Sequence, residues 1–205
     1  MSPASNRSAL RKHIRSLRSQ LSPTERLQAA DALASWLEQL PEFLVDQRIA
    51  GYWAVAGEMP LHAAFANLRA RDQVYCLPIV TDADVLRFAA WKPGAALRNN
   101  RYGIPEPDIG PTEQFQAADM DVVLLPLTGF DRHGNRLGMG AGYYDRSFAF
   151  LSETARPARP VLVGIGYHFQ ELPEIAPEPW DVKLDFVATD RELIDCTPKN
   201  AEPTP

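Results

Sequence analysis

The segment Asp121-Val-Val-Leu-Leu-Pro-Leu127 is a continuous apolar run of strand length, and a glycine-rich stretch through Gly138, Gly140 and Gly142 comes after it. A run without polar alternation suits a central strand of a parallel sheet, covered on both faces. Arg48–Val55, Val74–Val80, Leu86–Trp91, Val161–Tyr167 and Phe186–Thr189 read as further strands, and Leu61–Arg69 and Tyr143–Ser152 as helices between them. Strands alternating with helices predict an α/β fold: a three-layer α/β/α arrangement around a mostly parallel central sheet. Residues 93–118 carry four prolines and no strong period. They read as a long loop, and long loops are often functional.

The N-terminal segment is helical in pattern from Arg7 to about Gln20. Leu10, Ile14, Leu17 and Leu21 form an apolar stripe, and Arg7, Arg11, Arg15 and Arg18 a second one beside it. The arginines are therefore expected at the edge of whatever the leucines pack on. Ser22-Pro23-Thr24-Glu25 matches a capping box with proline at the first helical position. The helix it opens is expected to run to about Leu40, where Pro41 stops it. One domain over residues 7–195 is expected, with flexible tails at 1–6 and 196–205.

The net charge of −5 conceals an asymmetry: residues 1–26 hold six Lys/Arg against one acidic residue, and the remainder fifteen against twenty-five. An acidic body with one basic segment argues against a broad nucleic-acid face and fits a local anion site. Cys76 and Cys196 lie far apart with no CxxC spacing, so neither a disulfide framework nor a zinc site follows. Cys76 reads as an inert thiol in a buried strand. No run approaches the roughly 20 apolar residues of a membrane span, no signal-peptide core is visible, and the cytoplasm is the expected location.

In open α/β sheets ligands bind beyond the carboxyl ends of the strands. Alternating glycines there let backbone N–H groups converge on an anion, and a following helix adds its positive end. Arg136 would bring a full charge, and Asp145 could hold a metal beside phosphate oxygens. The segment Asn135–Arg146 therefore reads as a phosphate-binding turn, although it is neither a P-loop nor a GxGxxG fingerprint. Glu58 follows a strand in a turn between Gly57 and Pro60, and Asp181 lies in a proline-rich loop. Taken alone, each fits a solvated carboxylate better than a ligand, since turn carboxylates are usually solvated. Trp53 has a packing role open to it as well. His133 and His168 read as surface groups. A sugar-phosphate isomerase on a related sheet, or a non-catalytic nucleotide-binding protein, would also fit a phosphate loop with carboxylates.

The stretch Leu124–Asp145 as a whole resembles the signature of the 5-formyltetrahydrofolate cyclo-ligase (5,10-methenyltetrahydrofolate synthetase) family. Arg7-x-x-Leu10-Arg11, Gly57-Glu58, Tyr102–Pro107 and Trp180–Asp185 fall in that family's order, so the resemblance spans roughly residues 7–190. It implies a fold of the ribose-phosphate-isomerase-like or Rossmann-like kind. It also implies conversion of 5-formyltetrahydrofolate, ATP and Mg²⁺ to 5,10-methenyltetrahydrofolate, ADP and phosphate. Carried over by position, Arg7, Arg11, Arg136, Leu137, Gly138, Met139, Gly140, Ala141, Gly142, Tyr143 and Tyr144 would meet ATP. Trp53, Glu58 and the run Met139, Gly140, Ala141, Gly142 and Tyr143 would meet the folate. Asp145 and Asp181 would hold Mg²⁺, and Arg136, Tyr143 and Asp145 would form the catalytic group. Small molecules are the expected partners, with neither nucleic acid nor membrane, and a monomer is the expected state with a homodimer as the alternative. Met139 and Ala141 depart from forms of the motif that carry Arg, and Lys or Gly, at those places. Arg15 or Lys183 is the expected substitute cation, and a positive φ at Ala141 would be strained.

Overall fold

The computed structural model describes residues 3–154, 156 and 158–197. Five helices are described: α1 (Pro3–Gln20), α2 (Pro23–Leu37), α3 (Pro41–Val45), α4 (His62–Ala70) and α5 (Tyr143–Ser147). The strands are β1 (Arg48–Ala50), β2 (Val74–Val80), β3 (Leu86–Ala90), β4 (Leu97–Asn99), β5 (Pro105–Pro107), β6 (Val122–Pro126), β7 (Gly129–Phe130), β8 (Arg136–Leu137), β9 (Val161–Ile165), β10 (Phe186–Ala188) and β11 (Leu193–Asp195). Seven of them form one sheet in the order β11-β10-β9-β6-β1-β2-β3. The inner five are parallel, and β3 and β11 run antiparallel at the two edges.

The apolar run that predicts a central strand is β6, at the middle of that order. Its residues alternate between two cores. Val122 and Leu124 join Leu33, Leu37 and Leu68 of α2 and α4 on one face. Val123 and Leu125 join Phe130, Phe148, Val182 and Leu184 on the other. The mostly parallel α/β sheet thus matches expectation, but the second covering layer is less helical than predicted. Helix α5 has five residues and gives way to a 3-10 turn at Ala149–Leu151, and that face is completed by loop, the β7–β8 ribbon and a second 3-10 turn at Ala117–Asp119.

Local punctuation explains most boundaries. The Ser22 hydroxyl accepts the Glu25 N–H at 3.3 Å and the Glu25 carboxylate accepts the Ser22 N–H at 2.8 Å, which closes the capping box at the start of α2. That helix ends at Leu37, earlier than Leu40, and Pro41 starts α3 instead of merely stopping α2. The strand expected over Arg48–Val55 pairs only to Ala50, after which the chain leaves the sheet to build the turn at Val55–Glu58. The loop 93–118 is not structureless: β4 and β5 pair across it, and Arg98 reaches the buried Glu106 at 3.1 Å. Strand β11 has no sequence expectation behind it. Cys76 lies in β2, and burial pushes its thiol up to about 12.

Helix α1 begins at Pro3, so residues 3–6 are helical and not a tail. Residues 1, 2 and 198–205 of the expected tails lie outside the described residues, and Cys196 still donates its N–H to Asp185. The helix lies across the carboxyl ends of the parallel strands. Ile14 is buried against Gly129, and Arg18 reaches the carbonyl of Leu127, the residue just beyond β6. Among the described residues no helix is long and apolar enough to cross a membrane.

Candidate active site

Two segments meet at this edge of the sheet: the arginine stripe of α1 and the glycine turn between β8 and α5. Arg11 Nε donates to the Gly138 carbonyl at 2.8 Å. Arg15 Nη2 lies 3.8 Å from the Met139 sulfur, so a cation from α1 does stand over the position where the motif lacks one. Arg7 donates to the Ala176 carbonyl at 2.5 Å and to Asp181 at 3.4 Å. Burial, and then the neighbouring charges of Arg7 and Arg15, hold the Arg11 guanidinium below its usual value. A row of cations that destabilise one another calls for an anion between them.

The turn itself is shaped by its glycines. Positive φ falls on Gly140 at 104° and Gly142 at 69°, and not on Ala141. Alanine is therefore unstrained at 141, because the left-handed conformations sit on either side of it. Gly142 serves as the N-cap of α5. Leu137 is buried and its carbonyl accepts the Thr128 N–H at 2.8 Å, which ties the start of the turn to the residue before β7.

Arg136 is almost fully buried. It donates to the carbonyl of Val182 and to Asp145, and the same Asp145 oxygen accepts the Val182 N–H at 3.2 Å. This knot sets Asp145 against the backbone of Val182, the residue that follows Asp181. Among the described residues, Asp145 Oδ2 and Asp181 Oδ1 have no hydrogen-bond partner, the other oxygen of each being engaged. Two hard oxygen atoms left over at an anion site suit a Mg²⁺ that takes one or two carboxylates and completes its shell with phosphate and water. The His168–Glu171–Glu192 group also brings three ligand atoms within 4.8 Å, but Arg132 already pairs with both of its glutamates.

Glu58 comes from a turn in which Ala56 and Gly57 both have positive φ. The Glu58 N–H donates to the Val55 carbonyl at 2.9 Å, and the Val55 N–H donates back to the Glu58 carboxylate at 3.0 Å. Those φ signs are those of a type I′ turn, and the Val55 N–H holds the carboxylate back over it. Glu58 is 7% exposed. Burial pushes its carboxyl above the usual range, and the Val55 N–H, then Arg18 and Arg15, pull it back. The Tyr144 phenol lies within reach of that charge and is pushed up by burial and then by Glu58. Trp53 stands five residues earlier, 36% exposed, edge-on to Trp91 at 5.9 Å; Trp91 leans in turn on Phe65 at 5.5 Å. It thus has the packing role as one face of an aromatic wall and keeps another face open.

Tyr143 is held by partners that the sequence does not mark. Its hydroxyl meets Arg101, the Tyr102 hydroxyl at 2.7 Å and Asp84 at 3.3 Å, and Arg146 sits over its ring at 5.1 Å. Arg101 also pairs with Asp84, so the tip of the β4–β5 hairpin is tied to the start of α5. The motif at Tyr102–Pro107 hinted at this segment, but nothing in the chain signalled Arg101, Asp84 or the burial of Arg18.

Residues 3–190 match the description of the 5-formyltetrahydrofolate cyclo-ligase family. The chain belongs to this family. Family membership makes it an enzyme of the ligase class and agrees with relatives along almost its whole length. It is 29% identical over 180 residues to a 5-formyltetrahydrofolate cyclo-ligase of Haemophilus influenzae, covering 87% of this chain and 94% of that one. To the Escherichia coli K12 cyclo-ligase it is 29% identical over 179 residues, or 86% and 96% of the two chains. The solved 5,10-methenyltetrahydrofolate synthetase of Aquifex aeolicus superposes with a TM-score of 0.79 at 28% identity, covering 97% and 96% of the chains. That of Mycoplasma pneumoniae gives 0.69 at 26%, covering 90% and 99%. The cyclo-ligase fold is thus the α/β sheet described above. The readings as an isomerase or a non-catalytic binder are not favoured by these relationships.

Proposed function

We propose that this cyclo-ligase converts 5-formyltetrahydrofolate to 5,10-methenyltetrahydrofolate at the expense of ATP, at the junction of α1 and the 138–142 turn. The observation that carries the reading is the contact of Arg11 with Gly138, which sets a row of arginines directly over a glycine turn at a helix start. That arrangement is suited to a polyphosphate. Arg7, Arg11 and Arg15 face the ATP, and the N–H groups through Tyr144 approach its terminal phosphate. Glu58 accepts hydrogen bonds from the N–H donors of the pterin ring, with Trp53 on the ring's apolar side.

In the first step the formyl oxygen attacks the γ-phosphorus. The new P–O bond forms as the bond to ADP breaks, which leaves N5=CH–O–phosphate as an activated iminium. N10 then adds to that carbon and loses its proton to phosphate or water. The C–O bond breaks, phosphate departs with both electrons, and the methenyl bridge between N5 and N10 remains. Asp145 and Asp181 would hold the Mg²⁺, which would supply neutralising charge to the phosphate oxygens. Little covalent work falls on the protein, so the site acts by holding the formyl oxygen in line with the γ-phosphate and by matching its charge. Arg136 keeps Asp145 in place, and Tyr143, tied to Arg101 and Tyr102, sits where nucleotide and folate would adjoin. A monomeric, cytoplasmic protein is the simplest setting for this chemistry.

The test is to mix the protein with 5-formyltetrahydrofolate, ATP and Mg²⁺ and to follow the methenyl product by its near-ultraviolet absorbance, omitting each component in turn. Product that depends on all three is expected. Turnover without ATP, or none in the full mixture, would refute the reading.

A further inference from the structure

Arg18 is the fourth arginine of the α1 stripe, and it behaves unlike the other three. It is fully buried. Its Nη1 donates to the Leu127 carbonyl at 3.3 Å, while its Nε and Nη2 have no partner among the described residues. The single bond it makes is also redundant, because Gln170 Nε2 donates to the same carbonyl at 2.8 Å. A buried cation with two unanswered donors opposes folding and is kept only where something else requires it.

What lies against it is the Glu58 turn. A Cβ placed on Gly57, the residue before Glu58, would stand 3.4 Å from both the Cβ and the carbonyl oxygen of Arg18. Glu58 is itself buried and has no ion-pair partner within 4.0 Å among the described residues. The groups that face it are the cations Arg18 and Arg15 from α1, and the phenols Tyr52 and Tyr144, which burial keeps neutral. The Val55 N–H favours its ionised form first, and Arg18 is the leading charge that does so, ahead of Arg15.

We propose that Arg18 is a positioning residue for folate recognition: its buried guanidinium supplies the counter-charge under the Glu58 turn that keeps Glu58 an acceptor for ring N–H donors. Arg18 itself touches no solvent and so no substrate; it acts through Glu58. This rests on the assignment of Glu58 to the folate.

The experiment uses the full chain with Arg18→Met, Arg18→Lys, Glu58→Gln and the Arg18→Met/Glu58→Gln pair. The Glu58 carboxyl carbon, assigned by its loss in Glu58→Gln, is titrated by NMR in the free protein. Arg18→Met is expected to move its midpoint to higher pH and to leave Tm unchanged or raised. The same variant should raise the folate KM about tenfold at the acid end of the profile, and should leave the ATP KM within about twofold. Arg18→Lys should restore most of the loss, and the Arg18→Met effect should vanish in the Glu58→Gln background. An unmoved Glu58 titration, or a lowered Tm or failure to fold in Arg18→Met, would make Arg18 a structural brace and overturn the proposal. An inactive wild type would sink the catalytic reading instead, and the titration, which needs no turnover, would still decide whether Arg18 governs Glu58.

Discussion

Arg136 and Asp145 stand nine residues apart and form an ion pair with side chains 7% and 21% exposed, while Val182 shares a contact with each of them. The pair fixes one Asp145 oxygen and leaves the other without a hydrogen-bond partner among the described residues. Asp145→Asn keeps the shape and removes the charge. It should lower turnover and raise the Mg²⁺ needed for half-maximal rate by about tenfold or more, the usual size of a lost metal-site contact. A Mg²⁺ titration of the variant decides it, and an unchanged midpoint would refute the metal role.

Arg11→Ala removes a charged donor between α1 and the glycine turn. A hydrogen bond to a charged group contributes about 1.5–3 kcal/mol, so the ATP KM should rise about ten- to hundredfold. The folate KM should change far less. Parallel saturation curves for the two substrates separate the effects, and equal losses would count against the assignment.

Glu58 links stability to pH in the reverse of the usual carboxylate sense. Its folded pKa lies above the ordinary value because of burial. Between the unfolded and folded values the native state binds more protons, so its contribution falls as pH rises through that window. Glu58→Gln should therefore raise Tm at pH 8 by about 2–4 °C, the change that roughly 1 kcal/mol makes in a domain of this size. The same variant should lose most of its affinity for the folate. Thermal melts at pH 5 and pH 8 check the sign: the gain over wild type should be larger at pH 8.

Gly142 and Ala141 offer a contrast within one turn. A Cβ on Gly142 would meet Arg146 Nη1 at 2.8 Å, and its φ of 69° is disfavoured for an L side chain. Gly142→Ala should cost about 1–2 kcal/mol and reduce kcat/KM for ATP. Ala141→Gly should change Tm by less than about 1 kcal/mol's equivalent, since no left-handed conformation is needed there. Denaturant melts and initial rates on both variants test this, and equal damage from both would disprove the φ assignment.

Much of this protein is local and was legible without coordinates. The apolar run at 122–126 had to become an inner strand, because no other position hides both of its faces. The capping box started α2, and alternating glycines next to Arg136 marked an anion turn, because backbone conformation and N–H direction depend on a few neighbouring residues. The arginine stripe pointed to α1 as its partner. Distance in the chain hid the rest. The β4–β5 pairing and β11 depend on partners that propensity does not report, and Arg101 finds Tyr143 across 42 residues. Arg11 meets Gly138 across 127. The stripe puts Arg18 at the edge of what the leucines cover, and only the closing of α1 over the strand ends buries it against the Glu58 turn. The sequence alone determined which segments could be strand, helix or anion turn. Packing decided which charges lost their water, and desolvation sets the strength of every charge in this site.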